Sequence, residues 1–151
     1  SQEYWKALFR VSQNQIIWGM NNYVLPPCKH FVVWDKKQPD GVTFAQAELA
    51  WTSFNKVAKQ IDFRYYGNLQ GNTSAADKIH PTQKPIQLYD WTFKNYASEG
   101  QCILDTHLGS QSSRISANKN KLHFTGFELD PDYFRDGNKR YEDFVSQLTL
   151  F

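Results

Sequence analysis

Two acids at the ends of short apolar runs are the first chemistry the sequence offers. Asp105 closes the run CILD, and Glu128 closes HFTGFE roughly twenty residues later. Between them, HLGSQSS carries a glycine, Gly109, followed by Ser110. A glycine turn after a strand lets backbone approach a ligand, and a carboxylate at the next strand end can accept two vicinal ribose hydroxyls. The GxGxxG fingerprint is absent. A pyrophosphate ligand is therefore unsupported, while an adenosyl ligand without phosphates stays open. A second group is HPTQKP at 80–85, where Thr82, Gln83 and Lys84 crowd donors at the start of a helix. Such a place attracts a carboxylate or phosphate. The bland alternatives are a structural strand–turn–helix and a polar loop with a helix-starting proline.

A third group is basic and aromatic. Lys36, Lys37, Lys56, Lys59, Arg64 and Lys78 are interleaved with Trp51, Phe54, Phe63, Tyr65 and Tyr66. Cations suit phosphate contact and aromatic rings suit base stacking. The alternative is a solvated loop surface over aromatic core. The lysines at 119, 121 and 139 read as plain solvated positions. Cys28 and Cys102 make no zinc spacing with His30, His80, His107 and His123, so no metal is expected. Neither cysteine has a context that would activate a thiolate, and a lone His107 reads as structural.

The elements that must position these groups follow from periodicity. Tyr4, Trp5, Leu8 and Phe9 predict a helix over 3–11, with Lys6 and Arg10 facing away. QIIWG (15–19) and FVVW (31–34) read as buried strands, and Pro39-Asp40-Gly41 as a turn. Ala45, Ala47, Leu49 and Trp51 alternate, predicting a strand near 46–54, and Ile61, Phe63 and Tyr65 alternate again. Residues 67–80 read as a surface loop. Pro85 opens a helix with Leu88, Trp91, Thr92 and Tyr96 on one face, and Gly100 stands where a C-cap glycine would sit. Then come a buried strand (101–106), a tight turn, a helix near 110–119 and a strand over 123–129. Pro131 starts a last helix, with Tyr133, Phe134, Tyr141, Phe144 and Leu148 as its apolar face. Strands alternating with helices imply right-handed crossovers and parallel pairing.

Composition narrows the classes. The chain has 151 residues, 17 Lys plus Arg against 15 Asp plus Glu, and a net charge of +2, which excludes an acidic tail or a histone-like polycation. Aromatic residues make up 16%, too many for a disordered linker. No apolar stretch is long enough to span a membrane. The length suits one domain with enough core to fold without disulfides. Two isolated cysteines fit a reducing compartment.

HPTQKP, a helix, then ILD-x-x-x-GS and GFELDPDYF together resemble the amino methyltransferases of DNA, best the permuted β class. QNQIIWGMNNY (13–23) and AELAWTSF (47–54) resemble that family's central strand and the start of its DNA-facing region. The resemblance covers essentially the whole chain. It implies an α/β, Rossmann-like S-adenosylmethionine methyltransferase fold, mostly parallel, with helices on both faces and one strand lacking from this chain. It implies one domain over 1–151, with 36–80 facing DNA. It implies a transfer from S-adenosylmethionine to the exocyclic amine of adenine, favoured over cytosine. Asp105, Thr106, Gly109 and Ser110 would shape the turn around the methionine part. Glu128 would take the ribose hydroxyls, and Leu129 or Asp130 would sit by the adenine. His80, Thr82, Gln83 and Lys84 would approach the methionine carboxylate. Lys36, Lys37, Lys56, Arg64 and Lys78 would contact double-stranded DNA. A cytoplasmic place in a bacterial or phage setting follows, while a homodimer and a restriction partner stay open.

The sequence departs from the family twice. Thr106, His107 and Gln111 stand where Pro, Phe and a glycine are usual, and the lost glycine bears directly on the turn. The tetrad Asp/Asn/Ser-Pro-Pro-aromatic that holds the target base is also absent. Asp130-Pro131-Asp132-Tyr133 is a decoy that opens a helix. Residue 1 is Ser rather than Met, and the tetrad is expected upstream of it. The rival reading is an inactive methyltransferase-like module that binds nucleic acid or a partner.

Overall fold

The computed structural model describes residues 1–41, 43, 45–62 and 78–148. The chain divides into two compact units, Ser1–Tyr66 and Gly67–Phe151.

The first unit opens with helix α1 (Gln2–Val11), capped by the Ser1 side chain, which accepts the Tyr4 N–H at 3.3 Å. Glu3 in its first turn and Arg10 in its last complement the helix dipole. Its aromatic face is stitched edge-on, with Trp5 5.1 Å from Tyr23 and Phe9 5.6 Å from Trp51. Strands β1 (Ile16–Trp18), β2 (Phe31–Asp35), β3 (Ala47–Thr52) and β4 (Lys59–Asp62) form a mixed sheet in the order β1-β3-β2-β4. β3 runs antiparallel to both β1 and β2, and β4 runs parallel to β2. The strict alternation expected for β3 gives way to three consecutive buried residues, Ala50, Trp51 and Thr52. The reason is position: β3 lies between two strands and is covered on both faces at that end. Val32, Trp34 and Ala50 are the buried centre of this core. The alternation of Phe63 and Tyr65, Arg64 and the loop over 67–77 lie outside the described residues.

The second unit is helix α2 (Ile86–Tyr96), strand β5 (Cys102–Asp105), helix α3 (Ser112–Lys119), strand β6 (His123–Gly126) and helix α4 (Pro131–Leu148). β5 and β6 pair in parallel, as strands joined by a crossover helix must, with Asp105 opposite Gly126. Leu88, Phe93, Leu108, Ile115 and Ala117 make the core. Asp90 of α2 ties α3 down, accepting from the Ser116 hydroxyl at 2.6 Å and from Lys119.

Three expectations change here. The strand expected over 123–129 ends at Gly126, and Phe127 beyond it donates its N–H to the Asp105 carbonyl at 2.9 Å, leaving Glu128 in the turn that follows. Helix α2 ends at Ala97, whose N–H reaches the Phe93 carbonyl, three residues before Gly100. Gly100, at φ +82°, instead shapes the next turn and donates its N–H to the Lys121 carbonyl at 2.9 Å. Strand β5 is not buried throughout. Exposed Cys102 and Leu104 alternate with half-buried Ile103 and Asp105, because successive side chains of a strand point to opposite faces of the sheet.

Candidate functional site

The parallel strands β5 and β6 both end at one rim, and ligands of α/β sheets sit beyond such carboxyl ends. At that rim Asp105 folds the chain back on itself. Its carboxylate accepts the His107 N–H at 3.0 Å and the Ser113 hydroxyl at 2.5 Å, so one acid fixes both sides of the turn. Leu108 and Phe127 close the next rung, the Leu108 N–H reaching the Phe127 carbonyl at 2.9 Å. Gly109 follows at φ +50°, a left-handed conformation that suits glycine. Its N–H donates to Glu128 Oε2 at 2.8 Å. The other oxygen, Oε1, accepts the Asp130 N–H at 3.0 Å. Glu128 therefore joins the two strand ends.

The acidity of Glu128 follows from this cradle. Burial works against its charge, but the N–H groups of Asp130, Gly109 and Leu129 and the nearby His80 outweigh it, and the carboxyl lies below its ordinary range. The residue is half-buried and ionised at neutral pH. The Gly109 N–H lies on one oxygen and the Asp130 N–H on the other, and a carboxylate's four lone-pair directions leave acceptor capacity beyond these backbone donors.

His80 packs across the turn. A Cβ on Gly109 would lie 3.4 Å from the His80 ring, and that ring meets Tyr133 edge-on at 4.4 Å. Thr82 folds back onto His80, its N–H 3.2 Å and its hydroxyl 3.1 Å from Nδ1. HPTQKP is thus a hydrogen-bonded turn, with the Gln83 N–H on the His80 carbonyl at 3.1 Å and the Ile79 N–H on Gln83 Oε1 at 3.2 Å.

The structure brings His80, Gly109, Glu128 and Asp130 together and finds other work for several neighbours. The Asp130 carboxylate caps α4, accepting the N–H groups of Asp132 and Tyr133 at 2.9 and 3.1 Å. Leu129 is fully exposed and Phe127 is 58% exposed beside it. Ser110 is buried: its hydroxyl meets that of Ser112 at 3.2 Å, and its carbonyl accepts from Arg140 at 2.6 Å. It faces protein. Thr106 pairs with the His107 ring at 3.0 Å. Lys84 is half-buried just before α2. Arg140 carried no sequence signal beyond its place on the last helix.

Gln111 stands where the family usually has a glycine. It keeps the left-handed conformation, φ 60° and ψ 23°, and is completely buried. Its side chain runs into α4 rather than over the turn, so it does not block the rim.

The basic residues are less free than their spacing implies. Lys36 pairs with Glu48 at 2.6 Å and lies 5.2 Å over the Trp34 ring. Lys37 pairs with Asp35 at 3.0 Å and with Asp62 at 3.2 Å, from a left-handed backbone at φ +50°. Its hydrogen bonds to Asp35 and Asp62 raise its pKa, and the backbone and side chain of Lys37 lower that of Asp35. Lys56 sits 5.4 Å over Phe54 in an exposed stretch. Lys78 is half-buried. Among the described residues no group of three or more His, Cys, Asp or Glu is placed to hold a metal.

A family model described as DNA methylase, of the N6 and N4 type, matches residues 8–139. The Type II methyltransferase M2.DpnII of Streptococcus pneumoniae is 26% identical over 136 residues, which cover 89% of this chain and 44% of that protein. The chain therefore spans less than half of that curated relative. Among solved structures, the M1.HpyAVI–SAM complex gives a TM-score of 0.58 at 20% identity, covering 73% of this chain and 60% of that one. The PvuII DNA methyltransferase, described as cytosine-N4-specific, also gives 0.58, at 14% identity, covering 97% of this chain and 61% of that one. These two likenesses show the fold.

Proposed function

Because the chain belongs to the N6 and N4 DNA methylase family, we propose that it serves methyl transfer from S-adenosylmethionine to an exocyclic base amine of double-stranded DNA, adenine favoured. The two units then belong to one methyltransferase domain, a reading supported by the single family match running through both. The observation that carries the proposal is the Gly109–Glu128 clasp at the ends of two parallel strands.

The residues fit an adenosyl group. Glu128 is held ionised by backbone donors, with acceptor capacity left toward a ribose. Exposed Phe127 and Leu129 offer apolar surface for the adenine ring beside it. His80, with Thr82, borders the Gly109 turn on the side where the amino-acid end would lie, and Gln83 and Lys84 follow it. When bound, the cofactor supplies an electrophilic methyl on a sulfonium. The protein's part is to orient and to exclude water, so rate comes from positioning and electrostatics. Asp105 and Gly109 set the turn, and Glu128 fixes the ribose against it.

The base-holding tetrad is not assigned to any residue here. The one Pro-Pro pair, Pro26-Pro27, is flanked by Leu25 and Cys28. Asp130 and Tyr133 are engaged in opening α4 and in packing on His80. For DNA contact we favour Lys56 with Phe54, supported by the exposure of Lys56 and its position over the half-buried Phe54 ring. Lys78 and Arg64 are kept in the same role. Lys36 and Lys37 must exchange their carboxylate partners for phosphates.

Calorimetric titration with S-adenosylmethionine is the test. Binding is expected, and Glu128→Ala should weaken it by about 1–3 kcal/mol. No heat at millimolar cofactor, or an unchanged affinity in the variant, overturns the assignment. Nucleoside analysis of DNA methylated by the intact protein then separates adenine from cytosine as target.

A further inference from the structure

The chain carries glutamine at the left-handed position that closes the cofactor turn, and a glycine in the middle of its last helix. Both choices are locally poor. Non-glycine residues rarely adopt positive φ, and glycine is a weak helix former. The structure explains each by the other. A Cβ built on Gly137 would lie 2.6 Å from Gln111 Cγ and 2.8 Å from its Nε2, so the glutamine occupies the space the glycine leaves.

Every polar group of Gln111 is satisfied. Its N–H donates to the Leu108 carbonyl at 2.9 Å, which closes the turn containing Gly109 and Ser110. Its carbonyl accepts from Ile115 at 3.1 Å, starting α3. Oε1 accepts from Arg114 at 2.8 Å. Nε2 donates to Asn138 Oδ1 at 3.0 Å and to the Phe134 carbonyl at 3.3 Å. Arg114 also reaches Asn138 at 2.8 Å and lies 3.8 Å over the Tyr141 ring. Arg140, on the same helix, holds the Ser110 carbonyl. The turn is thus gripped from behind by α4 at two consecutive residues, Ser110 and Gln111, while Gly109 faces Glu128.

We propose that Gln111 is a positioning residue for the cofactor, presetting the Gly109–Glu128 clasp through a side-chain lock on α4 that Gly137 makes room for. The inference rests on the reading that this clasp holds the adenosyl group. It makes the affinity for S-adenosylmethionine depend on the α4 face that holds the Gln111 side chain.

The test measures exchange of the Gly109 amide by amide-resolved NMR relative to the α2 amides, together with cofactor affinity and thermal midpoint. Gln111→Ala and Gly137→Ala should each speed Gly109 exchange and weaken the cofactor by about tenfold. In a Gln111→Gly background, Gly137→Ala should cost nothing further, since its Cβ then meets no glutamine. Asn138→Ala removes one partner of the amide without touching the backbone, and gives the same readout if the other variants fold poorly. Variants that lower the thermal midpoint but leave Gly109 exchange and affinity unchanged would reduce Gln111 to a structural residue. An equal cost of Gly137→Ala in both backgrounds would also overturn the lock. If Gly109 exchange responds as expected but the unmodified protein binds no cofactor, the positioning stands and the cofactor reading falls.

Discussion

Glu128→Gln tests the clasp with the least change in shape. The carboxylate accepts the Gly109 N–H on one oxygen and the Asp130 N–H on the other. The amide keeps one acceptor and turns an NH2 toward the other donor, so at least one N–H is left opposed. Hydrogen bonds to charged groups are worth about 1.5–3 kcal/mol when shielded, and water reaches this half-buried site, so a net loss of about 1 kcal/mol is expected. For a chain of this length that lowers the thermal midpoint by about 3 °C. The sign of the pH dependence follows from the depressed acidity of Glu128. A folded value below the unfolded value of about 4.3 means the carboxylate stabilises fully above that pH and stops doing so as pH falls through the folded value. The gap between wild type and variant should therefore be open at pH 7 and close on acidification. Thermal unfolding of both proteins across that range is the assay. Equal midpoints at pH 7, or a gap that keeps its width below the folded value, would refute the cradle as the source of the acidity.

Three further outcomes check other parts of the reasoning. Ser113→Ala removes the hydroxyl on Asp105 and should cost about 1–2 kcal/mol in chemical denaturation, with cofactor binding weakened in step; a neutral result would mean the turn does not depend on that bond. Trp34→Ala empties the fully buried centre of the first unit and should cost about 3–5 kcal/mol, read from urea midpoints, a much smaller loss indicating a core that collapses into the gap. Lys56→Ala should weaken DNA binding evenly across sequences and lower the salt slope by about 1 in titrations at several salt concentrations, and an unchanged slope would remove it from the phosphate contacts.

Much of the second unit is legible in the sequence because its signals are local. The periods of α2, α3 and α4 and the apolar run ending in Asp105 each lie within one element, and Glu128 follows β6 by two residues. Parallel pairing of β5 and β6 then follows from the helix between them. Boundaries that depend on neighbours were harder. Gly100 invites a helix cap, yet the helix stops earlier because the glycine is needed for the turn toward Lys121. The alternation in β3 breaks because, at its Ala50–Thr52 end, this interior strand is buried on both faces.

By itself, then, the sequence determined the order of strand, turn and helix and the two acids at the strand ends, since a carboxylate at a strand terminus is a matter of a few adjacent residues. Tertiary structure decided what those residues are free to do. Asp130, next to the ribose acid, caps a helix, and Lys36 and Lys37 already hold carboxylates. Gln111, which looks like a defect beside its own neighbours, is accommodated by Gly137 and Asn138 on another helix. A side chain's partners are set by packing between elements distant in the chain, and a spacing pattern carries no record of them.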